Sequence, residues 1–275
     1  MTTDHRTRWA LILGASSGMG EATSLALAEA GYDIVGVHLD SRSRRGHVDE
    51  ITGRIRAMGR EAVFLNMNAA DDAQRMAAIA TISGRFVEIR AATPSDRPYL
   101  RVILHSLAFG SLAPYIAEVG DPRIDRRKME MTANVMAHSL VYWAQDLFAA
   151  GLLEDGSRII AMTSEGSSLV VPTYGAVSAA KAALESHVRQ LALEFGHRRT
   201  GITVNAIQAG VTMTPALMKV PVHDQIIEMS RRRNPSGRMT TTDDVARAVV
   251  GLAGDAFGFV NGAVIPVDGG EAITH

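Results

Sequence analysis

The sequence has 275 residues, 47% of them apolar, which is enough for one globular domain with a large core. Its 28 basic and 29 acidic residues leave a net charge of -1, so we expect neither nucleic acid nor a membrane as a partner. There is no cysteine, which excludes disulfides and thiolate metal sites. Residues 1–8 are polar and no apolar run is long enough to span a bilayer, which predicts a soluble, cytoplasmic protein without a signal peptide.

Short apolar segments alternate with longer segments of helical period, a pattern typical of a parallel sheet flanked by helices. The predicted strands are residues 9–13, 33–38, 62–66, 100–105, 158–162, 203–207 and 263–267. The predicted helices are residues 18–30, 45–58, 71–83, 124–150, 174–196 and 243–252. Residues 89–98 contain two prolines and are predicted to form a loop. We therefore predict an α/β fold, a single doubly wound Rossmann-type domain over residues 1–275 with a seven-stranded parallel sheet and helices on both faces.

The first predicted strand leads directly into a GxxxGxG segment and an alanine-rich helix. Glycines are needed where a backbone turns tightly and approaches a pyrophosphate, whose charge then faces the free amides of the helix. This context favours a dinucleotide-binding turn over a purely structural one. The predicted contact residues are Gly14, Ser16, Ser17, Gly18, Met19 and Gly20.

The GxxxGxG spacing resembles the short-chain dehydrogenase/reductase family, and further motifs extend the resemblance over nearly the whole chain. The His105-Ser106-Leu107-Ala108 turn after the fourth strand is similar to that of enoyl-acyl-carrier-protein reductases in this family. Residues 204–214 resemble the segment that touches the nicotinamide and its phosphates, and residues 267–270 resemble the closing strand. Further cofactor contacts that the resemblance implies are Asn68, Ala69, Ser106, Leu107, Ala108, Lys181, Gly210, Thr212 and Thr214.

The family's chemistry needs a tyrosine hydroxyl that gives a proton and a lysine that favours its ionised form. The residue four positions before Lys181 is Val177, so the usual family spacing is absent. Tyr174 lies seven residues before Lys181, about two helical turns, and so on the same helix face. This YxxxxxxK pattern resembles the enoyl reductase branch of the family. The alternative is a surface tyrosine beside a solvated lysine.

The resemblance also implies roles for Ser164 and Asn134. Ser164 lies seventeen residues before Lys181, where ordinary members keep a catalytic serine. A serine there fits both a carbonyl reductase and one branch of the enoyl reductases. Asn134 resembles the asparagine whose local helix distortion holds a water of the proton relay, although an exposed polar position is the alternative.

Residues 212–234 correspond to the family's substrate-binding lid. Met213, Met218 and Met229 in this segment would suit either an acyl pocket or the core. The run of arginines at 231–233 suggests a solvated surface, or one that attracts an acidic carrier protein. His105, His138 and His187 show no ligand spacing, and we predict no metal.

The cofactor preference depends on the end of the second strand. Asp40 there would bind the ribose diol of NAD, whereas Arg42, Arg44 and Arg45 would accept the extra phosphate of NADP. The cations outnumber the acid, so NADPH is favoured over NADH.

These motifs together predict an NAD(P)H-dependent reductase of an enoyl thioester. The small-molecule substrate would be linked to acyl carrier protein or coenzyme A. The alternatives are reduction of a 3-oxoacyl thioester or another ketone by the same residues, and, more remotely, a nucleotide sensor without turnover. The resemblance also implies a homotetramer built on the helices predicted at 124–150 and 174–196.

Overall fold

A computed structural model describes residues 6–274. Residues 1–5 and 275 lie outside the described residues. They include most of the polar start of the chain and both ends of the predicted domain range 1–275. Along the described chain the strands are β1 (Arg8–Leu13), β2 (Asp33–His38), β3 (Ala62–Asn66), β4 (Tyr99–His105), β5 (Arg158–Ser164), β6 (Thr203–Ala209) and β7 (Val264–Val267). The helices are α1 (Gly18–Glu29), α2 (Arg45–Ala57), α3 (Asp72–Ala92), α4 (Arg126–Ala133), α5 (Ser139–Ala149), α6 (Gly175–His197), α7 (His223–Arg233) and α8 (Thr242–Ala253).

The seven strands form one parallel sheet in the order β3-β2-β1-β4-β5-β6-β7, which confirms the predicted fold class. The strand order reverses direction between β1 and β4, where Leu13 is paired with His105. In open parallel sheets the crevice outside the carboxyl ends of the strands at this point is where ligands bind. The sheet therefore places the glycine turn after β1 beside the turn after β4.

Alternate residues of each strand pack on opposite faces, as the pleat requires. In β1, Trp9 and Leu11 pack with helices α3, α5 and α6 in one hydrophobic cluster. Ala10 and Ile12 pack with α1, α2 and α8 in the other. Both sheet faces are thus covered by helices, which explains why the strands are nearly continuous apolar runs.

Three predicted elements differ from those found. Helix α3 continues to Ala92, so the first four residues of the predicted 89–98 loop are helical. The helix was predicted to end at residue 83. Phe86 is buried and Ile89 packs against the core, so the helical spacing of apolar residues continues beyond that point. The segment predicted as one helix at 124–150 is divided by a π-helical turn at Asn134–His138. Helix α7 lies within residues 212–234, where no helix was predicted.

The last helix, α8, begins with a capping box. The Thr241 side chain accepts from Asp244 N, and the Asp244 side chain accepts from Thr241 N at 2.9 Å. Two amides of the first turn are thereby satisfied. No helix within residues 6–274 is long and apolar enough to span a membrane.

Candidate active site

The turn after β1 requires glycine for two separate reasons. Gly14 has φ +96°, and a Cβ there would lie 2.4 Å from Ser106 O on the neighbouring turn. A Cβ on Gly20 would lie 2.0 Å from Gly14 O, because α1 begins directly against the turn. Gly14 N donates to Val37 O at 2.8 Å, which fixes the turn to β2. The two glycines therefore allow the tight backbone cradle at the crevice that a bound pyrophosphate requires.

The start of α1 forms the second part of this cradle. Ser17 is the N-cap residue with an extended backbone, and its side chain does not cap the helix, so the first amides stay available to an anion. Gly18 has φ +56°, and a Cβ on it would lie 3.3 Å from Thr214 Cγ2. The loop after β6 thus lies against the glycine turn. In that loop Thr212 Oγ1 donates to Gly210 O at 2.9 Å.

The residues predicted for the adenosine half lie at the ends of β2 and β3. The Asp40 carboxylate contacts His38 Nδ1 at 2.9 Å and Arg44 Nε at 3.4 Å, so the Arg44 cation already compensates part of its charge. Arg42 begins a short 3₁₀ turn just beyond. Asn68 Oδ1 accepts from Ala70 N at 3.0 Å, which leaves the Asn68 side-chain NH₂ as its donor toward a ligand.

Tyr174 and Ser164 face each other across a glycine. A Cβ on Gly166 would lie 2.8 Å from Tyr174 Cε1 and 3.3 Å from Ser164 Oγ. Ser164 Oγ is buried and makes no hydrogen bond to another described residue. Burial raises the pKa of the Tyr174 hydroxyl, and the neighbouring Ser164 hydroxyl opposes that rise. The two hydroxyls are therefore neighbours without a direct hydrogen bond of normal length.

Lys181 lies on α6, whereas Tyr174 occupies the N-cap position one residue before that helix. The Lys181 amino group is buried and donates to Met162 O at 2.6 Å. Its burial lowers its pKa to about 8, and the charge of Glu185 opposes this change. The contact with Met162 O holds the Lys181 amino group at the end of β5, and the lowering of the Tyr174 pKa by Lys181 stays a prediction.

The predicted helix distortion at Asn134 is present, since the π-helical turn begins at that residue. The first residue after the turn, Ser139, contacts a histidine at the end of β4. Ser139 Oγ donates to Val135 O at 2.9 Å and contacts His105 Nε2 at 2.8 Å. Whether Ser139 Oγ or His105 Nε2 donates in this contact depends on the tautomer of the histidine. His105 Nδ1 is buried and has no partner among the described residues.

A cavity of about 470 Å³ adjoins these groups. Its wall is mostly apolar and includes Val177, Ile226 and Met229, so part of α7 forms one side. Lys181 and Asn134 are not part of this wall. The predicted site residues that line the cavity are Met19, Ala108, Ser164, Tyr174, Gly210, Thr212 and Thr214.

Two features of the site were not predicted from the sequence. Arg233 is not a solvated residue of a charge run, because its guanidinium binds Glu165 and lines the cavity. His138 Nδ1 and His187 Nε2 lie 3.0 Å apart between the π-helical turn and α6. Both pairs join residues distant in sequence, and neither has a local sequence signal.

Comparison with known proteins identifies the family. A family model described as enoyl-(acyl carrier protein) reductase matches residues 14–271. The chain belongs to the short-chain dehydrogenase/reductase family. It is an NAD(P)-dependent oxidoreductase of that family and acts on a small-molecule substrate.

Relatives in this family differ in the reaction that their names state. The (2S)-((R)-hydroxy(phenyl)methyl)succinyl-CoA dehydrogenase subunit BbsD of Thauera aromatica is 30% identical over 278 residues and covers 98% of each chain. The enoyl-(acyl-carrier-protein) reductase (NADH) FabI of Enterococcus faecalis is 28% identical over 249 residues and covers 90% of each chain. The crystal structure of the enoyl-(acyl-carrier-protein) reductase (NADH) of Aquifex aeolicus VF5 is 25% identical, with a TM-score of 0.79, covering 98% of this chain and 97% of that one. The comparisons therefore identify the family of the chain but not its substrate.

Proposed function

We propose that this enzyme reduces the carbon–carbon double bond of an enoyl thioester, with Tyr174 as the group that stabilises the thioester oxygen. The observation that carries the proposal is the position of the hydroxyl. Val177 occupies the place four residues before Lys181, is 4% exposed and lines the cavity, so no hydroxyl stands there. Tyr174 supplies its hydroxyl from about one turn further away. A displaced donor suits an oxygen two atoms from the carbon that receives hydride.

The chain's own residues have separable roles in this reaction. The glycine cradle and the start of α1 fit the pyrophosphate of a nicotinamide dinucleotide, which supplies the hydride when bound. Lys181, buried and charged below about pH 8, would bind the ribose of that cofactor. The Tyr174 hydroxyl would donate a hydrogen bond to the thioester oxygen as negative charge develops there. Asn134 would hold a water of the proton relay at the π-helical turn.

Reduction of a 3-oxoacyl thioester or another ketone is the second candidate. It is favoured by Ser164, whose buried hydroxyl lies beside Tyr174 and makes no hydrogen bond to any described residue. Such a hydroxyl is available to bind a carbonyl oxygen. The dehydrogenase from Thauera aromatica among the relatives also supports this candidate.

The cofactor and the assembly are further parts of the proposal. We favour NADPH, since the Arg44 cation already compensates part of the charge of Asp40. A thioester carried by acyl carrier protein or coenzyme A is consistent with both named relatives. A homotetramer is supported by apolar side chains that α5 and α6 leave exposed, namely Tyr142, Phe148 and Leu193.

The decisive experiment compares crotonyl and acetoacetyl thioesters at equal NADPH, by following cofactor oxidation. We expect a higher kcat/KM for the crotonyl substrate. If the acetoacetyl substrate is turned over at least about tenfold more efficiently, a difference of about 1.4 kcal/mol in transition-state binding, the ketoreductase function replaces the proposed one.

A further inference from the structure

Arg233, the last residue of α7, binds three residues in two other segments of the chain, the loop after β5 and the C-terminal turn. Its guanidinium donates to the Glu165 carboxylate through two nitrogens, at 2.9 and 3.4 Å. The same side chain donates to Glu271 O at 3.1 Å and to Thr274 O at 3.2 Å. A planar guanidinium suits such a fork, because its donors are fixed relative to one another. The pair is largely shielded, with side-chain exposures of 18% for Arg233 and 25% for Glu165.

Glu165 connects this arginine to the two candidate catalytic hydroxyls. It directly follows Ser164 and begins the 3₁₀ turn Glu165–Ser167. The next residue, Gly166, packs against the Tyr174 ring and Ser164 Oγ, and its carbonyl accepts a hydrogen bond from the Ser178 hydroxyl of α6. A shift of Glu165 would therefore move the turn that separates the two hydroxyls.

The face of α7 that carries Arg233 also forms a wall of the cavity. Ile226, Met229 and Ser230 line it, and Arg233 is one helical turn beyond Met229. The carboxyl end of α7 is also held from outside, since Asn234 Nδ2 donates to Asp268 O at 2.7 Å. Arg233 is the residue that joins this helix to the loop after β5.

We propose that Arg233 is a positioning residue for the reaction: its ion pair with Glu165 fixes α7 against the cavity and sets the place of Ser164 and Tyr174 relative to the substrate. This inference rests on the proposed function at those two hydroxyls. Helix α7 lies within the predicted lid segment, residues 212–234. Under this proposal its position is tied to that of the two candidate catalytic hydroxyls. The substrate's fit, and not cofactor binding, should depend on the pair.

Helix α7 itself offers a matched control. Arg232 Nε donates to Glu228 Oε1 at 2.8 Å, in an exposed ion pair of the same chemistry one residue away. Exposed pairs of this kind contribute little to stability. Arg232→Met and Glu228→Gln remove one charge of each sign, both from α7, without touching the loop after β5.

The test is a double-mutant cycle with Arg233→Met, Glu165→Gln and the double variant. We expect each single variant to raise the KM for the thioester about five- to tenfold and to leave the dissociation constant of NADPH unchanged. The double variant should be no worse than the worse single variant, since both act on one pair. Arg233→Lys keeps the positive charge but loses the two-nitrogen contact with Glu165. Its KM should therefore lie between those of the wild type and Arg233→Met. The two control variants should behave as wild type.

Two further outcomes separate this inference from the proposed function. The coupling between Arg233 and Glu165 can also be measured without any substrate. Thermal unfolding and the rate of proteolysis within residues 212–234 both report it. If the wild type reduces neither thioester but the unfolding effects are non-additive, the proposed function fails and the tie between the two segments stands. Additive effects in unfolding, together with KM values within about twofold of the Arg232→Met control, would overturn the positioning role.

Discussion

Lys181 Nζ donates to Met162 O at 2.6 Å, which ties the first half of α6 to the end of β5. Because the amino group is buried, its pKa is lowered to about 8, although the charge of Glu185 opposes the change. A free lysine keeps its charge to about pH 10.4. Lys181 would therefore lose the positive charge that contacts the cofactor within a pH range that is open to experiment.

We predict that NADPH affinity falls as the pH rises through about 8, since the neutral amine no longer attracts the cofactor. Titration of cofactor fluorescence between about pH 6.5 and about pH 9.5 measures this. Lys181→Met should bind weakly at every pH, show no such break, and lose about 100-fold or more in turnover. A wild-type affinity that stays flat over this range would show that the Lys181 charge does not contribute to binding.

Tyr174→Phe should lower turnover by a factor of about 100 or more, because the donor to the developing oxyanion is lost. NADPH binding should stay nearly intact, and both are measured by steady-state kinetics with cofactor titration. Tyr142→Phe removes a hydroxyl on α5, where the ring contacts Arg75, and should act as wild type. Ser164→Ala should cost less than Tyr174→Phe. Retention of most activity by Tyr174→Phe contradicts the assignment.

Cofactor preference should depend on the cations around Asp40. Arg44→Ala frees the Asp40 carboxylate and removes a positive charge, so we expect NADPH to lose about tenfold in affinity relative to NADH. Arg42→Ala should act in the same direction, and Asp40→Asn in the opposite one. Arg54→Ala, an exposed charge on α2, is the control. Tighter binding of NADH by the wild type, unchanged in Arg42→Ala, would show that Asp40 governs the site.

The buried histidine at the end of β4 should make the protein sensitive to acid. The pKa of His105 is lowered to about 3, first by burial and then by the charge of Lys181. An unfolded histidine takes up its proton near pH 6.5, so between these values the unfolded chain binds more protons and stability falls as the pH falls. From about pH 7 to about pH 5 the wild type should lose about 2 kcal/mol more than His105→Asn, roughly 5 °C in Tm.

Thermal unfolding at several pH values measures this difference in slope, whatever the variant's stability at neutral pH. His197→Asn, at the exposed end of α6, should keep the wild-type dependence. Equal slopes for wild type and His105→Asn would mean that His105 does not stay neutral in the folded protein.

The sheet and the glycine turn could be predicted because their signals are local. A buried parallel strand is an apolar run, and Gly14, Gly18 and Gly20 occupy places that the backbone itself demands. Helix α7 lacked such signals, since its N-cap position is Val222, which cannot cap with its side chain. Arg233 was misread because its partner Glu165 lies 68 residues away and only the fold brings the two together.

The π-helical turn at Asn134–His138 determines which face of α5 meets the sheet. A turn of this kind holds one residue more than the α-helix it interrupts, so every later side chain is rotated by about 100° about the helix axis. Trp143 is fully buried in this orientation, and its Nε1 donates at 2.8 Å to the carbonyl oxygen of Ala69, one of the predicted cofactor contacts. Removing one residue from the turn would regularise the helix but turn Trp143 away from Ala69. The irregular helix thus keeps Trp143 of α5 in contact with the loop after β3.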